Sequence, residues 1–241
     1  MPATNPDSAV KKVTVSIPTF EPNYTANPGL GEFYRLNFDS WLDPDGEFAL
    51  TLVLCDFKSS DAYKEFLRKY VDGHPGRVIL IDGNQTTYST VAANTGFRLL
   101  PYDIAVWAAS DARARDRSWL RYLADDFRDP NVMASYATSP TDAVLDFEQL
   151  QPAPIDRPSR VITFPHGAIP NVLAFRREAL APYDDRMTDI FASDSTQGTV
   201  WQVAAAGGVP VVNFRCNVLH DMFIEGGQHF RSGADIDSAT S

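Results

Sequence analysis

The chain has 241 residues, a net charge of -10 and an apolar share of 44%, which fits one large globular domain or two small ones. The acidic balance disfavours nucleic acid as a general partner. No apolar run approaches the roughly 20 residues of a membrane-spanning helix, so no integral membrane segment is expected.

Residues 1–10 are polar, contain proline and have no signal-peptide core, and they are expected as a flexible lead. Residues 11–17 alternate into a strand that Pro18 ends. The loop 19–31 is rich in Pro, Asn and Gly, and Phe33, Leu36 and Trp41 then predict a helix over 32–42. Asp43-Pro-Asp-Gly46 is a turn. Residues 48–55 form a second, almost continuously apolar strand that exits into Asp56. A helix is expected from about residue 62, with Tyr63, Phe66, Leu67 and Tyr70 at helical spacing, and Gly73-His-Pro-Gly76 breaks it. The third strand is 77–81, and Asp82-Gly-Asn84 turns the chain into a helix over 86–100. Val91 and Phe97 are the apolar residues of that helix, and Asn94 lies on a different face. The apolar run 104–109 is the fourth strand, and it ends abruptly at Ser110 and Asp111.

Four strands alternating with helices are the signature of a mostly parallel sheet with crossover helices, an α/β domain of Rossmann-like kind. Neither G-x-G-x-x-G nor G-x-x-x-x-G-K-[ST] occurs, so a dinucleotide fingerprint and a P-loop are both unsupported. Open α/β sheets bind ligands beyond the carboxyl ends of their strands. A carboxylate at the exit of the fourth strand, followed by Arg113 and Arg115, can hold a metal–phosphate pair, with Mg²⁺ or Mn²⁺ suited to oxygen ligands. A competing reading makes Asp111 the N-cap of a helix over 116–127.

The second half is less regular. A helix is expected at 117–127, with strands at 132–137, 160–164 and 171–175, and a Pro-rich acidic connection over 138–158. A short helix follows at 176–180, and another at 193–206 is capped by Ser193 or Asp194. Residues 209–212 and 216–219 read as two short strands ending near His220, and a flexible tail is expected from 226 to 241. This half has too few regular apolar segments to close a core alone, so 11–225 is read as a single domain. Cys55 and Cys216 sit within apolar runs and read as core thiols, in keeping with a reducing, cytoplasmic setting.

Several local patterns, taken in order, resemble the GT-A glycosyltransferases, and among them the inverting glycosyltransferase family 2. Ile17-Pro18-Thr19-Phe20 is similar to that family's opening strand and turn. Asp56-Phe-Lys-Ser59-Ser-Asp61 resembles its D-x-x-S-x-D, and Ala93-Asn94-Thr-Gly96 its A-x-N-x-G. Ala109-Ser110-Asp111 lies where D-x-D is expected, with alanine replacing the first aspartate. Phe175-Arg176-Arg177-Glu178 resembles the junction after the acceptor loop, and Ser193-Asp194 stands where a Glu-Asp pair opens a helix. No Q-x-x-R-W element occurs, which speaks against a processive polysaccharide synthase.

The resemblance implies transfer of a sugar from a nucleotide-diphospho-sugar, a UDP- or GDP-sugar, to an unidentified acceptor, with inversion and with Mn²⁺ or Mg²⁺ assistance. Residues 11–112 would bind the donor and 113–225 the acceptor. In that reading Asp111 and His220 hold the metal, and Asp56 accepts a hydrogen bond from the base. Pro18, Thr19, Glu21, Asn94 and Ser110 line the nucleotide site. Arg113 and His166 face phosphate or acceptor, and Asp194 is the general base. The missing first aspartate also admits a degenerate protein that only binds nucleotide-sugar or glycan. A sugar-phosphate nucleotidylyltransferase fits less well, because Pro18-Thr-Phe-Glu-Pro22 occupies the place of its Gly-rich loop.

Overall fold

The computed structural model describes residues 10–26, 29–46, 48–82, 95–138, 159–161, 171–180, 207–224 and 228–231. In chain order these form β1 (Lys11–Thr19), a 3-10 turn (Tyr24–Ala26), α1 (Leu30–Trp41), β2 (Phe48–Asp56), α2 (Asp61–Asp72) and β3 (Val78–Ile81). A helical run at 95–99 precedes β4 (Ile104–Ala108), β5 (Ala112–Ala114), α3 (Trp119–Asp126) and β6 (Val132–Thr138). The remainder is β7 (Ser159–Val161), β8 (Val172–Arg176), α4 (Arg177–Leu180), β9 (Val209–Ile224) and β10 (Gln228–Arg231).

The main sheet runs β10-β9-β6-β8-β4-β1-β2-β3. Strands β3, β2, β1 and β4 are mutually parallel, β8 is antiparallel to β4 and β6, and β6 is parallel to β9. From β9 to β3, therefore, only β8 runs against the others, and the expected mostly parallel sheet in a single domain is observed. The order 3-2-1-4 means that β1 leads outward on one side to β2 and β3, and that β4 sits on its other side. The chain thus reverses its winding between β1 and β4, and such a switch point opens a crevice at the carboxyl ends of the two strands.

Alternation explains the layers. Val13, Val15 and Ile17 of β1 enter one core with Leu52 and Leu54 of β2. Leu30, Phe33, Tyr34, Asn37, Phe38 and Trp41 of α1 are buried at the three- and four-residue spacing of one helix face. Tyr63, Leu67 and Tyr70 of α2 are buried in the same way. The Ser60 side chain caps α2 by accepting from the Tyr63 N–H. Of the residues expected on the apolar side of α1, Leu36 instead faces outward.

On the opposite side of the sheet, Gly96 brings the 95–99 helix directly onto β1 and β2. A Cβ there would stand 2.5 Å from Ser16 Oγ and 3.1 Å from a Val53 methyl. Gly96→Ala is expected to destabilise by about 1–3 kcal/mol through overpacking. Urea unfolding measures it, and an unchanged midpoint would contradict the tight approach.

Three expectations are corrected. Residues 209–219 are part of one strand, β9, rather than two. Its pairing with β6 shifts at Ala137/Thr138, where Thr138 pairs with Asn217, and Asn213 Oδ1 accepts from the backbone N–H groups of Arg215 and Cys216. The polar interruption is therefore a bulge stapled by Asn213. Asp111 does not cap a helix, because β5 follows directly. Helix α3 begins only at Trp119, behind an Asx turn in which Asp116 Oδ1 accepts from the Ser118 N–H at 2.8 Å. The stretch expected as a tail carries β10, which pairs antiparallel with 221–224 of β9. Both cysteines are buried thiols, as expected.

Candidate functional site

The residues at the carboxyl ends of β1, β2 and β4 form one neighbourhood. Pro18 and Thr19 close β1 in register with Cys55 and Asp56 of β2. The chain then crosses to Glu21, whose backbone N–H donates to Ser59 Oγ at 2.9 Å and whose carbonyl accepts from the Ser60 N–H and hydroxyl, both at 3.1 Å. The Ser59-Ser60 pair after β2 thereby fixes the loop after β1. Phe20 and Phe57 stack at the rim with centroids 5.2 Å apart, and Phe20 is 47% exposed.

Asp56 is fully buried. Thr19 Oγ1 makes a long 3.5 Å contact to its Oδ1, and Lys64 Nζ stands 3.8 Å from its Oδ2, which accepts no hydrogen bond among the described residues. Lys64 also pairs with Asp82 at 3.3 Å, and Arg68 holds Asp82 at 2.7 Å. Burial raises the Asp56 carboxyl above its ordinary value, against the pull of Ser59 hydrogen bonds and the Lys64 charge. A buried carboxylate oxygen without a donor is a ready acceptor for a ligand N–H.

The sign of the Asp56 effect on stability follows from linkage. A carboxyl raised in the folded state is protonated more readily there than in the unfolded chain. Its penalty is absent below the unfolded value of 3.8 and grows as the pH rises through the folded value. Asp56→Asn is therefore expected to flatten the fall in stability between the unfolded value and the raised folded value, above which the penalty is constant. Chemical denaturation at several pH values checks it, and a wild-type-like slope in the variant would contradict it.

Tyr34 of α1 lies in the electrostatic field of both Glu21 and Asp111. The Tyr34 hydroxyl donates to Glu21 Oε2 at 3.0 Å. Burial first, and then the Glu21 and Asp111 carboxylates, push the Tyr34 phenol up. Burial likewise pushes up Tyr63, with Tyr34, Asp56 and Glu21 adding to it. Two tyrosines beneath the crevice thus lie in the fields of Glu21, Asp56 and Asp111 together.

Asp111 sits in a tight turn between β4 and β5, where the Ala112 N–H donates to the Ala109 carbonyl at 3.1 Å. Helix α1 grips this turn from below. Asn37 Nδ2 donates to the Ser110 carbonyl at 3.1 Å, Trp41 Nε1 donates to the Ala112 carbonyl at 3.2 Å, and Ser40 Oγ accepts from the Ala114 N–H at 3.0 Å. Strand β5 pairs with β9 so that Ala112 is opposite His220 and Arg113 opposite Leu219. The His220 main chain therefore lies one residue in register from Asp111. Its side chain lies outside the described residues, as do Asn94, His166 and Asp194 entirely.

Among the described residues, no three His, Cys, Asp or Glu side chains converge as a metal site. Glu21 after β1 and Asp111 after β4 carry carboxylates, the oxygen-donor chemistry that suits Mn²⁺ or Mg²⁺. Sequence reasoning placed Asp56 and Asp111 at strand exits and Glu21 in the loop after the first strand. It missed Tyr34, Asn37, Lys64 and Tyr63, although Asn37 carried a signal, a polar residue in the stripe between Phe33 and Trp41.

No protein-family model matches the chain, and no curated protein matches its sequence. Solved structures do share its fold. The mannosyltransferase PcManGT from Pyrobaculum calidifontis, in complex with GDP-Man and Mn²⁺, is 21% identical with a TM-score of 0.67, and the match covers 88% of this chain and 57% of that one. GalNAc-T7 with UDP, GalNAc and Mn²⁺ is 13% identical with a TM-score of 0.69, covering 89% of this chain and 44% of that one. S. aureus TarS 1-349 is 14% identical with a TM-score of 0.51, covering 84% of this chain and 58% of that one. The chain has the GT-A fold, and it spans about half the length of the proteins it matches. No described helix is long and apolar enough to cross a membrane.

Proposed function

We propose that the chain is a glycosyltransferase that moves a sugar from a UDP- or GDP-linked donor to an acceptor hydroxyl with inversion, assisted by Mn²⁺ or Mg²⁺. The observation that carries this reading is the gathering of Glu21, Asp56 and Asp111 at the carboxyl ends of β1, β2 and β4, around the switch point. Two solved structures of the same fold hold Mn²⁺ together with GDP-Man, or with UDP and GalNAc, which supports the choice of donor and metal.

Asp56 accepts from the base N–H, and Thr19 and Pro18 shape the wall around it. The exposed Phe20 ring offers a face to the base. Glu21 lines the site between base and metal, and Ser110 and Asp111 face the diphosphate. Asp111 and His220 would hold the metal, which when bound would supply a Lewis acid for the charge that develops on the leaving diphosphate. Arg113 and His166 add charge and hydrogen bonds toward phosphate or acceptor, and Asn94 lines the nucleotide site. Asp194 takes the proton from the acceptor hydroxyl as that oxygen attacks the anomeric carbon. Residues 11–112 bind the donor and 113–225 the acceptor. The buried thiols accord with a cytoplasmic setting.

A thermal-shift panel of UDP, GDP, CDP and dTDP, each with Mn²⁺, Mg²⁺ or EDTA, tests the reading. At a concentration about 100 times its Kd, a ligand of the folded state adds about 2.7 kcal/mol of stability. One nucleotide that stabilises in metal and loses the effect in EDTA supports a metal-dependent donor site, and no shift from any nucleotide overturns it. Ala109 in the place of the first D-x-D aspartate favours a second reading, a protein that binds nucleotide-sugar without transferring it. Binding without turnover would identify that case.

A further inference from the structure

Helix α1 makes three separate hydrogen bonds to the backbone of one short segment, 110–114. Two donate to carbonyls on either side of Asp111, from Asn37 to Ser110 and from Trp41 to Ala112. The third accepts the Ala114 N–H at Ser40 Oγ, and that hydroxyl in turn donates to the Asn37 carbonyl at 2.6 Å. All three partners lie more than 70 residues away in the chain, so the contact is tertiary and serves no helix of its own.

Asn37 is the unexpected member. It is 1% exposed, on a helix face otherwise lined by Leu30, Phe33, Tyr34, Phe38 and Trp41. Burying an amide costs free energy unless it is hydrogen-bonded, and a core that needed only packing would place an aliphatic side chain here. The amide instead spends its N–H on the residue before Asp111, and its Oδ1 has no hydrogen-bond partner among the described residues. Three residues earlier on the same face, Tyr34 donates to Glu21. One helix face therefore addresses both the Glu21 carboxylate and the Asp111 turn.

We propose that Asn37, together with Ser40 one turn further along α1, is a positioning residue for the metal site: it fixes the Ser110 carbonyl and so sets the direction in which the Asp111 carboxylate leaves the turn. The inference rests on the nucleotide-sugar reading of this crevice and adds a role that no motif in the sequence assigns. Residues that orient metal ligands typically change metal affinity by about 10- to 100-fold when they are removed. Asn37→Ala is expected to weaken Mn²⁺ binding within that range, while nucleotide affinity in EDTA stays at the wild-type value. A purely structural role would lower the melting temperature and weaken both affinities alike, or neither.

The experiment measures Mn²⁺ binding by electron paramagnetic resonance of the free ion, and UDP and GDP binding by calorimetry in Mn²⁺ and in EDTA. The wild-type chain, Asn37→Ala and Ser40→Ala are compared. A selective loss of the metal-dependent term in Asn37→Ala, with a smaller loss of the same kind in Ser40→Ala, supports the proposal. If wild type binds a nucleotide in a metal-dependent way and both variants keep that dependence, the role of Asn37 is overturned and the donor site stands. If wild type binds neither UDP nor GDP, the donor site itself falls and the inference with it. Should Asn37→Ala fail to fold, the half-buried Ser40 decides by the same criterion.

Discussion

Asp111→Ala is expected to lower kcat/KM for the proposed sugar transfer by about a thousandfold while leaving the fold and metal-free nucleotide binding intact. The size follows from the chemistry assigned to the site. A metal-bound diphosphate gains several kcal/mol of charge stabilisation in the transition state, and about 4 kcal/mol corresponds to a factor of about 10³. The fold survives because Asp111 is only half-buried, and the turn around it is held by its neighbours' backbone through Asn37, Trp41 and Ser40. Steady-state kinetics against donor concentration, with calorimetry in EDTA as the control, makes the comparison. A variant that keeps within a few-fold of wild-type turnover would remove Asp111 from the reaction.

The largest loss of stability is expected from Trp41→Ala, about 3–5 kcal/mol. Trp41 is fully buried and meets Trp119 edge to face, with centroids 4.9 Å apart and planes at 88°. This pair joins α1 to α3, and so joins the half of the chain before Asp111 to the half that follows it. A domain commonly holds only about 5–15 kcal/mol in total, so the variant stands near the limit of folding. Trp41→Phe keeps most of the packing and removes the N–H that Ala112 accepts, which leaves a loss dominated by one hydrogen bond of about 0.5–1.5 kcal/mol plus the smaller ring. Urea midpoints of the two variants separate packing from hydrogen bonding. Equal losses would mean that the indole N–H, rather than the ring stack, holds the two halves together.

What could be read in the sequence was local. Apolar runs that stop at a polar or charged residue marked the exits of β2 and β4. Pairing between distant segments left no such trace. Strand β5 has only three residues and no apolar period, so periodicity assigns it no strand. Its partner in β9 lies about a hundred residues later. The Asn213 bulge looked like a break because period-2 reasoning counts a polar residue as an end, whereas here its side chain supplies the missing acceptors. Arg176 was read as a motif position. In the fold it clamps the end of α3, donating to the Val132, Phe127 and Asp129 carbonyls with its guanidinium over the Phe127 ring. Tyr34 and Asn37 were hidden by their own helix, since periodicity reports that a residue is buried and not what its polar atom touches.

The two buried thiols give the chain an internal clock. Burial pushes the Cys55 thiol up to about 11, against weak contacts from Ser16 and Gly96, and it pushes Cys216 up as well, with Asp116 and Asp126 adding to it. At neutral pH almost none of either is thiolate, the form that reacts, so an alkylating reagent waits until the surrounding structure opens. Cys55 reports on β2, beside the crevice, and Cys216 on β9, at the bulge. The order in which mass spectrometry finds them labelled tells which half of the sheet breathes first. A nucleotide that slows Cys55 more than Cys216 would date its arrival to the β2 side, with no probe attached to the protein.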